Sequence, residues 1–252
     1  MAHHRFFLTA PYVGERLPLT AEDIHHLRDV LRLHPGETIV AVEPGGRELQ
    51  MRLTEVGEDV LGEAIGEIPR DEEPCVVLIQ GLPKGPKTDE IVQRAVEIGV
   101  AEILPVITER TIVKLDAAKA EDRAARWRKI AREAAKQSQR ARVPDVAVPV
   151  ALRDAEAALR GLDHVLVAWE EADTACGIGE TLSELGATTA SRIGIVVGPE
   201  GGLAADEVEW LVSLGAVVVS LGHTILRTET AGIVAAALAI YALGGLGGEL
   251  RG

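Results

Sequence analysis

The sequence predicts an α/β protein: a largely parallel sheet with helices on both faces, preceded by a small β-rich module. Three observations carry this. From Cys75 onward, short β-branched runs alternate with helical patterns, as in strand–helix–strand units whose sheet is covered on both sides. Before residue 72 the apolar runs are short, and turn dipeptides separate them, which suggests a small barrel. Between the two, Pro69-Arg70-Asp71-Glu72-Glu73-Pro74 is charged, proline-flanked and aperiodic, and is the best linker candidate. The expected domains are 1–72 and 73–252.

In chain order, Thr20-Ala21-Glu22-Asp23 opens a helix, with Thr20 as N-cap and Asp23 at the third position, a variant of the capping box. It runs through His25, His26, Leu27 and Val30 to about residue 31. Turns at Pro35-Gly36, Pro44-Gly45-Gly46 and Gly57-Glu58-Asp59 delimit strands over 38–42, 48–56 and 61–68. Leu49 to Leu53 alternates apolar and polar residues, as on a half-buried strand. The second part predicts strands over 75–80, 103–107, 164–169, 193–197 and 217–221. Its helices are expected over 88–98, 120–138, 155–159, 178–185, 205–214 and 229–242.

Composition narrows the function classes. With 252 residues and 47% apolar content the chain can bury a sizeable core. Cys75 and Cys176 are far apart, with no CxxC or neighbouring histidine cluster, so neither a disulfide framework nor a metal site is expected. No secretory apolar segment follows Met1, and the Ala- and Gly-rich stretch 231–246 is too short for a membrane span; a soluble, cytoplasmic protein is expected. The net charge of −13 argues against indiscriminate nucleic-acid binding. Yet Glu121 to Arg142 holds eight basic residues against three acidic ones. That local excess acts on its own, because the Debye length is only about 8 Å at physiological salt.

Four motifs carry chemistry. In Gly198-Pro199-Glu200-Gly201-Gly202, glycines between a strand and a helix let main chain approach a flat ligand; the same residues also read as a plain tight turn. The loop is neither a Walker loop nor a G-x-G-x-x-G dinucleotide site. Asp206 and Glu207 in the next helix's first turn oppose an extra phosphate there and favour a neutral or cationic ligand. The second motif, Leu221-Gly222 followed by Ile225-Leu226-Arg227-Thr228-Glu229-Thr230-Ala231, opens the last helix. Its plain reading is Thr228 as N-cap with an Arg227–Glu229 ion pair. The third is Gly81-Leu82-Pro83-Lys84-Gly85-Pro86-Lys87, and the fourth runs from Arg126-Trp127 through Gln137-Ser138-Gln139-Arg140 to Arg142-Val143-Pro144.

Taken with His4-Arg5-Phe6-Phe7 and His26-Leu27-Arg28-Asp29-Val30-Leu31-Arg32, these motifs resemble, in order and wording over nearly the whole chain, the ribosomal small-subunit methyltransferase E family. The resemblance implies a knotted methyltransferase domain of the SPOUT type, a trefoil that binds S-adenosyl-L-methionine (SAM), over 73–252. It implies a PUA-like RNA-binding β-barrel over 1–72. The implied activity is methylation of N3 of a uridine in 16S rRNA, within the assembled 30S subunit, by a homodimer. SAM, with its sulfonium, fits the cationic preference of the first loop. The implied cofactor residues are Gly198, Pro199, Glu200, Gly201, Gly202, Leu221, Gly222, Ile225, Leu226, Thr228, Thr230 and Ala231. Arg227 would stabilise negative charge on the uracil oxygens and Glu229 would accept or orient the proton. Lys84, Lys87, Arg94, Gln137, Ser138, Arg140 and Arg142 would meet RNA. One departure stands out: His223-Thr224 occupies the place where the family usually carries a basic residue. Two other readings stay open: a related knotted enzyme acting on ribose or tRNA, and an RNA-binding assembly factor that holds SAM without turnover.

Overall fold

The computed structural model describes residues 4–69, 73–171 and 176–247; Arg70-Asp71-Glu72 of the expected linker lie outside them. The chain divides into two compact units, 1–71 with 135–142, and 72–134 with 143–252.

In the first unit, β1 (Arg5–Phe7), β2 (Thr38–Val42), β3 (Glu48–Val56) and β4 (Val60–Ile68) form one sheet in that order. β1 runs parallel to β2, and the other two pairings are antiparallel. The alternation read at Leu49, Met51 and Leu53 puts all three side chains into the core, with Phe6, Leu27 and Ile39. Helix α1 (Ala21–His25) starts as its sequence predicts: Thr20 Oγ1 accepts the Asp23 N–H at 3.1 Å. The helix does not continue regularly to residue 31. It widens into a π-turn over His26–Val30, closed by the Leu31 N–H on the His26 carbonyl. Asp23 is 1% exposed, and Lys136 Nζ neutralises it at 2.6 Å.

The second unit is the predicted parallel sheet. Its elements are β5 (Cys75–Gly81), α2 (Lys87–Ile98), β6 (Glu102–Ile107), α3 (Ala117–Gln137), β7 (Asp145–Val146), β8 (Val150–Ala151), α4 (Glu156–Arg160), β9 (His164–Ala168), α5 (Ile178–Glu184), β10 (Arg192–Val197), α6 (Ala205–Ser213), β11 (Val217–Val219) and α7 (Thr228–Ala242). The last residues of α3 group with the first unit. Strand order is β11-β9-β10-β5-β6-β7, with β8 also on β6, and every pairing is parallel. Val77, Ile79, Val167 and Val196 from the central strands pack with Leu203, Val208 and Leu211. α7 lies on β5 and β10 and packs against α2 and α5.

Three differences from the sequence reading matter for the site. β9 and β11 end at Ala168 and Val219, so Trp169 and Leu221 belong to loops. β1, β7 and β8 have two or three residues each and show no run long enough to read. α3 begins three residues earlier than predicted, where Asp116 Oδ1 accepts the Lys119 N–H at 2.9 Å.

Candidate functional site

The loops leaving β9, β10 and β11, with the start of α7, enclose a cavity of about 730 Å³. It lies beyond the carboxyl ends of adjacent parallel strands, where open α/β sheets bind ligands, and its size is that of a small-molecule site.

Two glycines make the β10 loop possible. A Cβ on Gly198 would stand 2.6 Å from the Gly202 carbonyl carbon and 2.9 Å from Leu203 N, both backbone atoms. Gly202 itself has φ +71°, in the left-handed region. At the start of the helix that follows, Glu207 Oε2 accepts the Ala204 N–H at 2.9 Å, and its Oε1 accepts the Glu109 N–H at 2.8 Å.

Thr228 joins the β10 loop to α7. The N-cap position is Arg227 rather than Thr228. The Thr228 hydroxyl, 6% exposed, donates to the Gly198 carbonyl at 2.6 Å and accepts from Gln80 Nε2 at 2.9 Å. Arg227 lines the cavity and makes no ion pair among the described residues; the carboxylate of Glu229 pairs instead with Lys87, at 3.3 Å.

Lys87 is the hub of a charged network. Its Nζ lies 3.0 Å from Glu200 Oε1, and the Lys84 N–H reaches both Glu200 oxygens at 3.2 Å. Hydrogen bonding to Glu200, then to Glu229, holds the Lys87 ammonium above the ordinary lysine range despite desolvation. Burial pushes the Glu200 carboxyl up, but its own N–H, Lys87 and the Lys84 N–H together bring it below the usual value. Glu229 is lowered first by a hydrogen bond from its own N–H and then, against burial, by Lys87 and Arg227. All three groups are charged at neutral pH.

Of the twelve sequence-predicted cofactor residues, ten line this cavity: Gly198, Pro199, Glu200, Gly202, Leu221, Gly222, Ile225, Leu226, Thr228 and Ala231. Gly201 and Thr230 do not; the Gly201 carbonyl accepts from Arg110 Nη1 at 2.9 Å, and Thr230 is exposed on α7. Lys87, read as an RNA contact, lines the cavity. Arg94 is exposed on α2 and pairs with Glu90 one turn away. Gln137, Ser138, Arg140 and Arg142 belong to the first unit. There Arg140 is 7% exposed and its carbonyl accepts from Arg5 Nη1 at 3.0 Å, while the Arg142 side chain lies against Gly46. Part of the basic stretch is neutralised internally: Arg126 pairs with Asp89, and Arg128 with Glu121.

The sequence reading missed Gln80, Trp169 and Glu170. Trp169 and Glu170 line the cavity, and the buried indole N–H of Trp169 has no partner among the described residues. Among the described residues no group of His, Cys, Asp and Glu could hold a metal ion, and no helix is long and apolar enough to cross a membrane. A cavity with glycine-lined walls, an unpartnered buried donor, a carboxylate and an arginine suits a ligand that has both a flat ring and polar groups.

Comparison with known proteins identifies the family. The model of an RNA methyltransferase domain matches residues 71–240. The chain is 36% identical over 227 residues to the ribosomal RNA small subunit methyltransferase E of Bacillus subtilis, covering 88% of this chain and 89% of that one. The Mycobacterium bovis protein of the same name is 33% identical over 234 residues, 90% and 87% of the two chains. The crystal structure of the Neisseria gonorrhoeae methyltransferase E bound to S-adenosyl methionine superposes with a TM-score of 0.78 at 33% identity, over 93% of this chain and 96% of that one.

Proposed function

Since this chain belongs to the ribosomal RNA small subunit methyltransferase E family, we propose that it methylates N3 of a specific uridine of 16S rRNA in the assembled 30S subunit, with SAM bound in the cavity described above. The observation that carries this reading is the Thr228–Gly198 hydrogen bond, which fastens the glycine loop to the helix start bearing Arg227. A relative of the same fold holds SAM, and the residues here fit it: main chain can come close at Gly198 and Gly202, and Glu170 offers a polar contact. When bound, SAM supplies an electrophilic methyl group.

This chain's residues do the rest. The target base must leave its stack, at a cost of a few kcal/mol. Holding the target base against the donor's site supplies much of the acceleration by proximity. Arg227 stabilises the negative charge that develops on the uracil oxygens as N3, a weak acid, gives up its proton to solvent water. Glu229, held ionised and low in pKa, is a weak base, so an orienting role through its pair with Lys87 suits it better than proton acceptance. The same reading makes the first unit an RNA-binding PUA-like module, with Gln137, Ser138 and Arg142 among its RNA contacts. It also makes the path from β10 to α7 a trefoil knot.

A homodimer completes the proposal. Leu238 and Tyr241 are exposed on α7, flanked by half-buried Ile233, Val234 and Ala237, an apolar stripe that a second copy would cover. Light scattering is expected to give the dimer mass, and an active monomer would refute the assembly. For the reaction, unmodified 30S subunits are incubated with methyl-labelled SAM, digested and resolved by nucleoside mass spectrometry. 3-Methyluridine is the expected product; a ribose-methylated nucleoside, or no transfer, would overturn the assignment.

A further inference from the structure

Glu170 is a carboxylate without an evident task. It stands two residues beyond the end of β9, the strand flanked by β10 and β11, whose loops make the neighbouring cavity walls. The other carboxylate of the lining, Glu200, is taken up by Lys87 and the Lys84 N–H. Glu170 has no hydrogen bond or ion pair among the described residues, although it lines the same cavity. Its place is built into the fold: a Cβ on Gly202 would overlap Glu170 Oε1, so the lack of a side chain at 202 leaves the carboxylate room. Beside it in sequence, the indole N–H of Trp169 is buried and unpartnered, a donor suited to a ring nitrogen.

Resting on the SAM-binding reading above, we propose that Glu170 accepts the two hydroxyls of the donor's ribose and so sets the specificity of the cavity for a ribonucleoside. A carboxylate presents two acceptor oxygens and no donor, which matches a vicinal diol. An acid beyond a strand's carboxyl end plays this part toward ribose in other parallel α/β sheets. The cations of the lining, Lys87 and Arg227, come from the first residue of α2 and the N-cap of α7, whereas the β9 end contributes an indole and a carboxylate. The nucleoside part of the donor fits the latter pair, and the reacting sulfonium is thereby left to the Arg227 side. Each hydrogen bond to a charged group is of the strong kind.

Calorimetric titration of the full-length protein tests this with three ligands: SAM, 5′-methylthioadenosine, which lacks the amino-acid part, and its 2′-deoxy analogue. The expectation for Glu170→Gln is a loss of about 10- to 100-fold in affinity for both SAM and methylthioadenosine. The wild-type protein should prefer the ribose ligand over its 2′-deoxy analogue by about 10-fold or more, and Glu170→Gln should abolish that preference. An unchanged melting temperature of the variant would show that the loss is local. Unaltered affinities overturn the proposal. So does a loss confined to SAM, which would place the carboxylate at the amino-acid ammonium. If the wild-type protein binds none of the three, the SAM-binding reading itself fails, a result distinct from either.

Discussion

Replacing Thr228 by valine removes one hydroxyl and little else. The two side chains have the same shape and similar helix propensity, and the position is the first residue of α7. The lost hydroxyl donates at 2.6 Å to the Gly198 carbonyl and accepts from Gln80 Nε2. Gln80 Nε2 keeps the Gly81 carbonyl at 3.0 Å, but the Gly198 carbonyl retains only the same amide at 3.4 Å. A buried acceptor left so poorly satisfied costs about 1–3 kcal/mol. In a protein of this size each kcal/mol lowers the melting temperature by about 2–4 °C, so a fall of about 4–8 °C is expected for the middle of that range. SAM affinity should fall as well, because the β10 loop loses its anchor to α7. Scanning calorimetry without ligand and titration with SAM measure the two effects, and Thr228→Ser, which keeps the hydroxyl, should recover most of both. A valine variant that melts within about 1 °C of wild type and binds SAM normally would show that this hydrogen bond does not hold the cavity together.

Arg227→Ala should keep SAM affinity and lose methylation of 30S particles; near-normal turnover in a tritiated-methyl assay would remove Arg227 from the chemistry. Gly198→Ala puts a methyl 2.6 Å from backbone at Gly202, so the loop must shift, and SAM affinity should drop by about tenfold or more while the fold persists; calorimetry reads this directly, and unaltered binding would contradict the close approach. Glu200 and Glu229 both lie below 4.5 in the fold. Their contribution to stability is therefore present above that value and lost as pH falls through the folded midpoints, while that of Lys87, raised above 10.5, is complete below 10.5 and lost on the alkaline side. The network is thus intact through the neutral range, and Lys87→Met should move both carboxyl midpoints upward, as followed by carbon NMR of the glutamate side chains. Midpoints that stay put would mean that Lys87 does not hold these carboxylates.

The parallel sheet was legible because β5, β9 and β10 are buried on both faces, which forces continuous β-branched runs that no surface segment needs. The two glycine loops were legible for a related reason: backbone in the left-handed region at Gly202, or packed against backbone at Gly198, tolerates no side chain, so the requirement is written in the residue itself. Lys87 shows the opposite case. Its charge is visible in the sequence and suggests a phosphate, but its partners Glu200 and Glu229 lie more than a hundred residues away, and only the folded chain brings the three together. Arg140 is similar, a residue of a basic stretch that the fold buries. Trp169 and Glu170 carry no motif at all. Their signal was positional: they follow the end of a central strand, and in a parallel sheet that place alone marks a residue as facing the ligand. A strand end one residue too long in the sequence reading hid them, since Trp169 passed for strand core. Site residues of this kind are found by fixing strand ends first and asking which polar side chains stand just beyond them.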